Sequence, residues 1–93
     1  MFIHIVLMRF DDAADAQEAE RRLRLLPDSI DVIRRMTIGQ NVVPSERAYD
    51  LGLVVELDSQ EDLETYDAHP EHQAVAAFMR ERRSGSASCD YPG

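Results

Sequence analysis

The chain lacks the marks of several protein classes. It holds one cysteine, Cys89, so no intrachain disulfide can form. No apolar run approaches the ~20 residues that a bilayer-spanning helix needs. Its four glycines, Gly39, Gly52, Gly85 and Gly93, are too scattered to cradle a phosphate, and no nucleotide cofactor is expected. Lysine is absent altogether. Ten arginines stand against eighteen carboxylates, a formal charge of −8 that repels phosphate backbones and acidic lipid surfaces. Neither nucleic acid nor a membrane is therefore an expected partner. The opening MFIHIVLMRF has neither the basic segment nor the small-residue cleavage site of a secretion signal, and the reading is a protein of the reducing cytoplasm.

What is present is a globular balance, 44% apolar and 30% charged. Ninety-three residues cannot divide their apolar content between two cores, so residues 1–93 are read as a single domain. A domain of this size buries only about two thirds of the surface its unfolded chain exposes, and an apolar surface shared with a partner would add to its stability.

Phe2 to Phe10 is apolar on both alternating sets. Phe2, His4, Val6, Met8 and Phe10 lie on one side and Ile3, Ile5 and Leu7 on the other, a strand whose two faces both need cover. Asp11 and Asp12 offer caps to a helix marked by Ala16, Ala19, Leu23 and Leu26 and ended by Pro27. Ile30 to Gln40 is β-branched and reads as a second strand, with Gly39 as a bulge or strand end, and Tyr49 to Leu57 alternates as a third. Ser59 with Asp62 resembles a capping box opening a second helix. Pro70 fits a first turn but not a helix interior, so this helix breaks at His69 and restarts, running to about Arg83. Ser84 to Tyr91 is the fourth strand. The order is β-α-β-β-α-β, the α+β, split ferredoxin-like pattern of an antiparallel sheet with both helices on one face. Its other face is apolar too, and the simplest cover is the same face of a second copy, a homodimer.

The segments HIVLMRF, YDLGLVVEL, YDAHPEH and the closing DY resemble the stress-responsive A/B barrel domain (Dabb) family over nearly the whole chain. That resemblance implies a dimeric α+β barrel of two ferredoxin-like sheets packed face to face. Members of the family include plant stress proteins and a plant polyketide cyclase that closes a ring by aldol condensation. The cyclase positions matching His4, Tyr66 and His72 belong to its proposed acid/base pocket, whereas its tyrosine in the first helix and histidine in the third strand correspond here to Ala19 and Leu51.

His4, Tyr66 and His72 are accordingly the candidate catalytic residues, because imidazole and phenol can exchange protons or orient a carbonyl near neutral pH. His72 is read as general base, with Tyr66 and His4 orienting an enolisable carbonyl in an apolar pocket that takes a small hydrophobic or aromatic molecule. No cofactor is required. Each residue also has a structural reading: His4 and Tyr66 as bonded core groups, His69 as a helix-break residue bonding the local backbone. His69 and His72 without an inward carboxylate fall short of a metal site. Arg21, Arg22, Arg82 and Arg83, set among Glu18, Glu20 and Glu81, read as a solvated charged face, and Cys89 as a small packing residue. Two rival readings stay open: a non-catalytic stress-associated protein whose role is stable assembly, and a cofactor-free monooxygenase of the related barrel type. A cavity below ~300 Å³, or one filled by Phe10, Phe78 and Met79, would favour assembly.

Overall fold

A computed structural model describes all 93 residues. The elements run β1 (Phe2–Phe10), α1 (Ala13–Leu23), α2 (Leu26–Ser29), β2 (Arg35–Gln40), β3 (Leu51–Leu57), α3 (Gln60–Ala68), α4 (Pro70–Arg82) and β4 (Arg83–Pro92). The four strands make one antiparallel sheet in the order β2-β3-β1-β4. This is the ferredoxin-like arrangement that the residue pattern implies, with two helical elements more, the single turn α2 and the second half of a divided second helix.

Local chemistry accounts for the boundaries. The Asp12 carboxylate accepts from the Ala14 N–H at 2.8 Å and caps α1, and the Ser59 hydroxyl accepts from the Asp62 N–H at 3.3 Å and caps α3. His69 precedes a proline, which disfavours helical backbone, and it sits extended at φ −63°, ψ 135°. Its Nδ1 then accepts from the Glu71 N–H at 3.1 Å, so the residue that ends α3 also caps α4, with Pro70 opening the new helix. The local backbone bond read for His69 is therefore present.

The fourth strand extends one residue beyond expectation at each end, Arg83–Pro92, and three boundaries differ by more. The first helix ends at Leu23, short of Leu26, and Pro27 sits in the first turn of the separate single turn α2 (Leu26–Ser29), where a missing N–H costs nothing. The second strand starts at Arg35 rather than Ile30, because Ile30 is a core anchor and the chain turns tightly after it, Ile33 N–H to Ile30 carbonyl at 3.2 Å. The β-branched residues there pack instead of pairing. The third strand starts at Leu51 rather than Tyr49: Asp50 is spent on β1, its carboxylate accepting from the Phe10 N–H at 2.8 Å, and Tyr49 lies under the Arg9 guanidinium. Gly39 makes no bulge and pairs in register with Gly52. The one irregularity in the sheet lies between β1 and β4, at Arg9/Phe10.

The two faces of the sheet differ. Phe2, Met8 and Phe10 of β1 and Leu51, Leu53, Val55 and Leu57 of β3 join Ala16, Ala19, Leu23, Tyr66, Val75 and Met79 of the helices in one core. The opposite face carries Ile3, Ile5, Leu7, Val54, Cys89 and Tyr91 with no element over them; Leu7 is 38% and Tyr91 42% exposed. Cys89 is therefore an exposed thiol of this face, not a packed core residue.

Candidate functional site

Between the helices and the helix-covered face of the sheet lies a partly open cavity of about 330 Å³. Val6, Met8, Leu23, Leu53, Ala76 and Met79 make its walls apolar. His4, Tyr66 and His72 all line it, each from a different element: β1, α3 and α4. Phe10 and Phe78 do not line it, and Ala19 and Leu51 are sealed in the core away from it.

Tyr66 stands between the two imidazoles. Its ring centroid is 5.7 Å from that of His4, edge-on, and 4.5 Å from that of His72. The side chain is fully buried, yet its hydroxyl has no hydrogen-bond partner in the protein. Buried hydroxyls are normally bonded, so this one is a polar group that the fold itself leaves unmet, on a residue that lines the cavity. Burial, with the Asp67 carboxylate as a smaller contribution, pushes the phenol well above its ordinary pKa and keeps it protonated.

His72 is held on one side only. Its Nδ1 lies 3.1 Å from the Asp67 carbonyl, which can only accept, so Nδ1 carries the proton and Nε2 keeps its lone pair. Burial lowers the pKa of this imidazole, outweighing the opposite pull of the Asp67 carbonyl and carboxylate. A neutral imidazole with a free Nε2 is the form a general base requires. The Asp67 carboxylate, 4.0 Å from Nε2, stands where it would stabilise the cation formed on proton uptake.

His4 is bonded on its other edge. Its Nδ1 donates to the Asp90 carboxylate at 2.5 Å, joining residues 86 positions apart, and the ring is mostly shielded from solvent. Val6, Met8 and His4 pair across the sheet with Ser88, Ser86 and Asp90, so β4 lays a polar column beside the apolar wall. His69 is not part of this group; its ring is committed to capping α4. No set of three or more His, Cys, Asp or Glu side chains is arranged to hold a metal ion.

Three contributions were not evident in the residue pattern. Asp90 and Asp67 orient the two histidines, and Arg83 lines the cavity. Arg82 and Arg83 are therefore not one solvated face: Arg82 pairs with Asp15 at 3.5 Å and covers Phe78, while its neighbour turns inward. The Asp90 partnership had a signal in the closing DY; the turn of Arg83 had none, because it depends on cross-strand register.

The sequence model of the stress responsive A/B barrel domain, Dabb, matches residues 2–92. The chain belongs to that family. Among solved structures, this Dabb domain is similar to a dimeric ferredoxin-like protein of unknown function from Bacteroides fragilis, at 29% identity and TM-score 0.84, covering 99% of this chain and 95% of that one. A dimeric ferredoxin-like protein of unknown function from Thermobifida fusca superposes with TM-score 0.87 at 22% identity, covering 99% and 90%. The hydroxynitrile lyase of Passiflora edulis gives TM-score 0.84 at 12% identity, covering 97% and 90%, a likeness of fold alone. No curated protein matches the sequence significantly. No helix is long and apolar enough to cross a membrane.

Proposed function

We propose that this Dabb domain is a cytoplasmic homodimer that binds a small hydrophobic or aromatic carbonyl compound between its sheet and helices and acts on it by cofactor-free acid/base chemistry. The observation carrying this reading is Tyr66, a buried phenol lining a cavity of about 330 Å³, whose hydroxyl has no protein partner and whose ring packs against both imidazoles. In this reading Tyr66 donates to the carbonyl oxygen of the ligand, His72 Nε2 takes the proton from the adjacent carbon, and His4, braced by Asp90, orients the developing enolate. The apolar walls favour a hydrophobic body and exclude water from the charges that form.

The homodimer rests on the bare apolar sheet face and on the dimeric relatives of the same fold. An exposed free thiol at Cys89 on that face suits a reducing compartment. Of the side chains whose filling of the cavity would favour a purely structural role, Met79 lines it and Phe10 and Phe78 do not. Screening aromatic ketones by chemical-shift mapping tests the proposal: signals of Tyr66, His72 and Met79 should move together. Replacing His72 with Ala should then abolish turnover of any ketone that is converted while sedimentation still reports the dimer. Unaltered turnover in His72→Ala would remove the base assignment.

A further inference from the structure

The geometry points to a carboxylate on the ligand, bound by Arg83; this rests on the cavity reading above and adds the chemical class of what enters. The starting point is the ladder between β1 and β4. It runs in register from Phe2↔Pro92 to Arg9↔Gly85 and then steps to Phe10↔Arg83, leaving Ser84 as an extra residue on β4. Side chains alternate along a strand, so one inserted residue reverses the face of everything beyond it. An unbroken ladder would set Ser84 opposite Phe10 and turn Arg83 to the bare face. The bulge instead sets Arg83 opposite Phe10, whose ring is buried on the helix side, and cross-strand partners share a face. Arg83 is thereby directed into the cavity and is half-buried there.

Nothing in the protein neutralises it. Arg21, Arg22, Arg24, Arg34, Arg35 and Arg82 all have carboxylate partners, and Arg9 bonds the Ala48 carbonyl and stacks on Tyr49. Arg83 takes part in no ion pair or side-chain hydrogen bond. The only carboxylate lining the cavity, Asp67, sits against His72. Removing a guanidinium from water without a counter-ion is costly, and its planar fork matches a carboxylate in two parallel bonds. Ser86 and Ser88, on the inward column of the same strand, add hydroxyls beside it. The overall charge of −8 opposes any anion, so this recognition is local to the cavity.

Calorimetric titration of the full-length protein with phenylpyruvate and with its neutral methyl ester tests the inference. The acid should bind about ten- to a hundred-fold more tightly than the ester, the range expected for a hydrogen bond between charged groups. Arg83→Gln should abolish that preference, weakening the acid far more than the ester, Arg83→Lys should keep part of it, and Arg80→Gln, at an exposed arginine, should keep all of it. Circular dichroism checks that each variant is folded. Equal binding of acid and ester, or a preference that survives Arg83→Gln, would overturn the role of Arg83 while leaving the cavity reading standing. Binding of neither probe would overturn both.

Discussion

Replacing Tyr66 with Phe should move stability and function in opposite directions. The ring is fully buried and its hydroxyl bonds nothing in the protein. Removing the O–H therefore breaks no internal hydrogen bond, and it relieves a buried polar group whose desolvation costs about 1–3 kcal/mol when unmet. The ring keeps its contacts with His4 and His72, so no large cavity opens. Stability should be unchanged or rise by up to about 1 kcal/mol, equivalent to roughly 4–8 °C in Tm for a domain of 60–100 residues. Tyr66→Ala, which also removes the ring, should lose about 3–5 kcal/mol. A ketone ligand should bind Tyr66→Phe about two- to ten-fold more weakly, the value of one neutral hydrogen bond. Urea unfolding measures the first effect and ligand titration the second, both at one protein concentration because the stability of a dimer depends on it. A loss exceeding about 1 kcal/mol in Tyr66→Phe would mean that the hydroxyl is bonded within the fold, and the reasoning would fail.

Burial lowers the pKa of His72 below the ordinary 6.5, so the folded protein binds this proton less readily than the unfolded chain. Its contribution to stability is then complete above pH 6.5 and is lost as the pH falls through and below that value; His72→Gln should flatten this part of the curve, and an unchanged curve would show that His72 does not cause it. Turnover should likewise depend on the neutral form and fall off on acidification with an apparent pKa below 6.5. His69→Ala removes the cap of α4 and should cost about 0.5–2 kcal/mol in urea unfolding while leaving turnover untouched; loss of turnover in a folded variant would bring His69 into the site. Ile5→Glu places a charge at the centre of the bare sheet face, between Val54 and Cys89, and should yield a folded monomer in sedimentation at micromolar concentration; a persistent dimer would place the interface elsewhere.

Much of this architecture is legible in the residues because it rests on local physics. The alternation of Leu51, Leu53, Val55 and Leu57 marks a half-buried strand wherever the chain goes, and all four are in the core. Asp12, Ser59 and Pro70 act on backbone groups within a few positions of themselves, so the helix starts could be placed from sequence. The stretch Ile30 to Arg34 misled because β-branched residues suit both a strand and a core-packed turn, and only burial by other elements separates the two. The candidate site divides in the same way. His4, Tyr66 and His72 could be singled out by residue type and by family likeness, but their juxtaposition needs β1, α3 and α4 to converge.

The kinds of element, their order, the two-sided apolar character of β1 and the residues able to carry chemistry all follow from spacing along the chain. That Asp90 braces His4, that the Tyr66 hydroxyl is left without a partner and that Ser84 bulges to turn Arg83 inward came from the fold. Those outcomes depend on which residues stand opposite one another across strands and helices far apart in the chain, and a single-residue shift in register changes the face on which a side chain emerges.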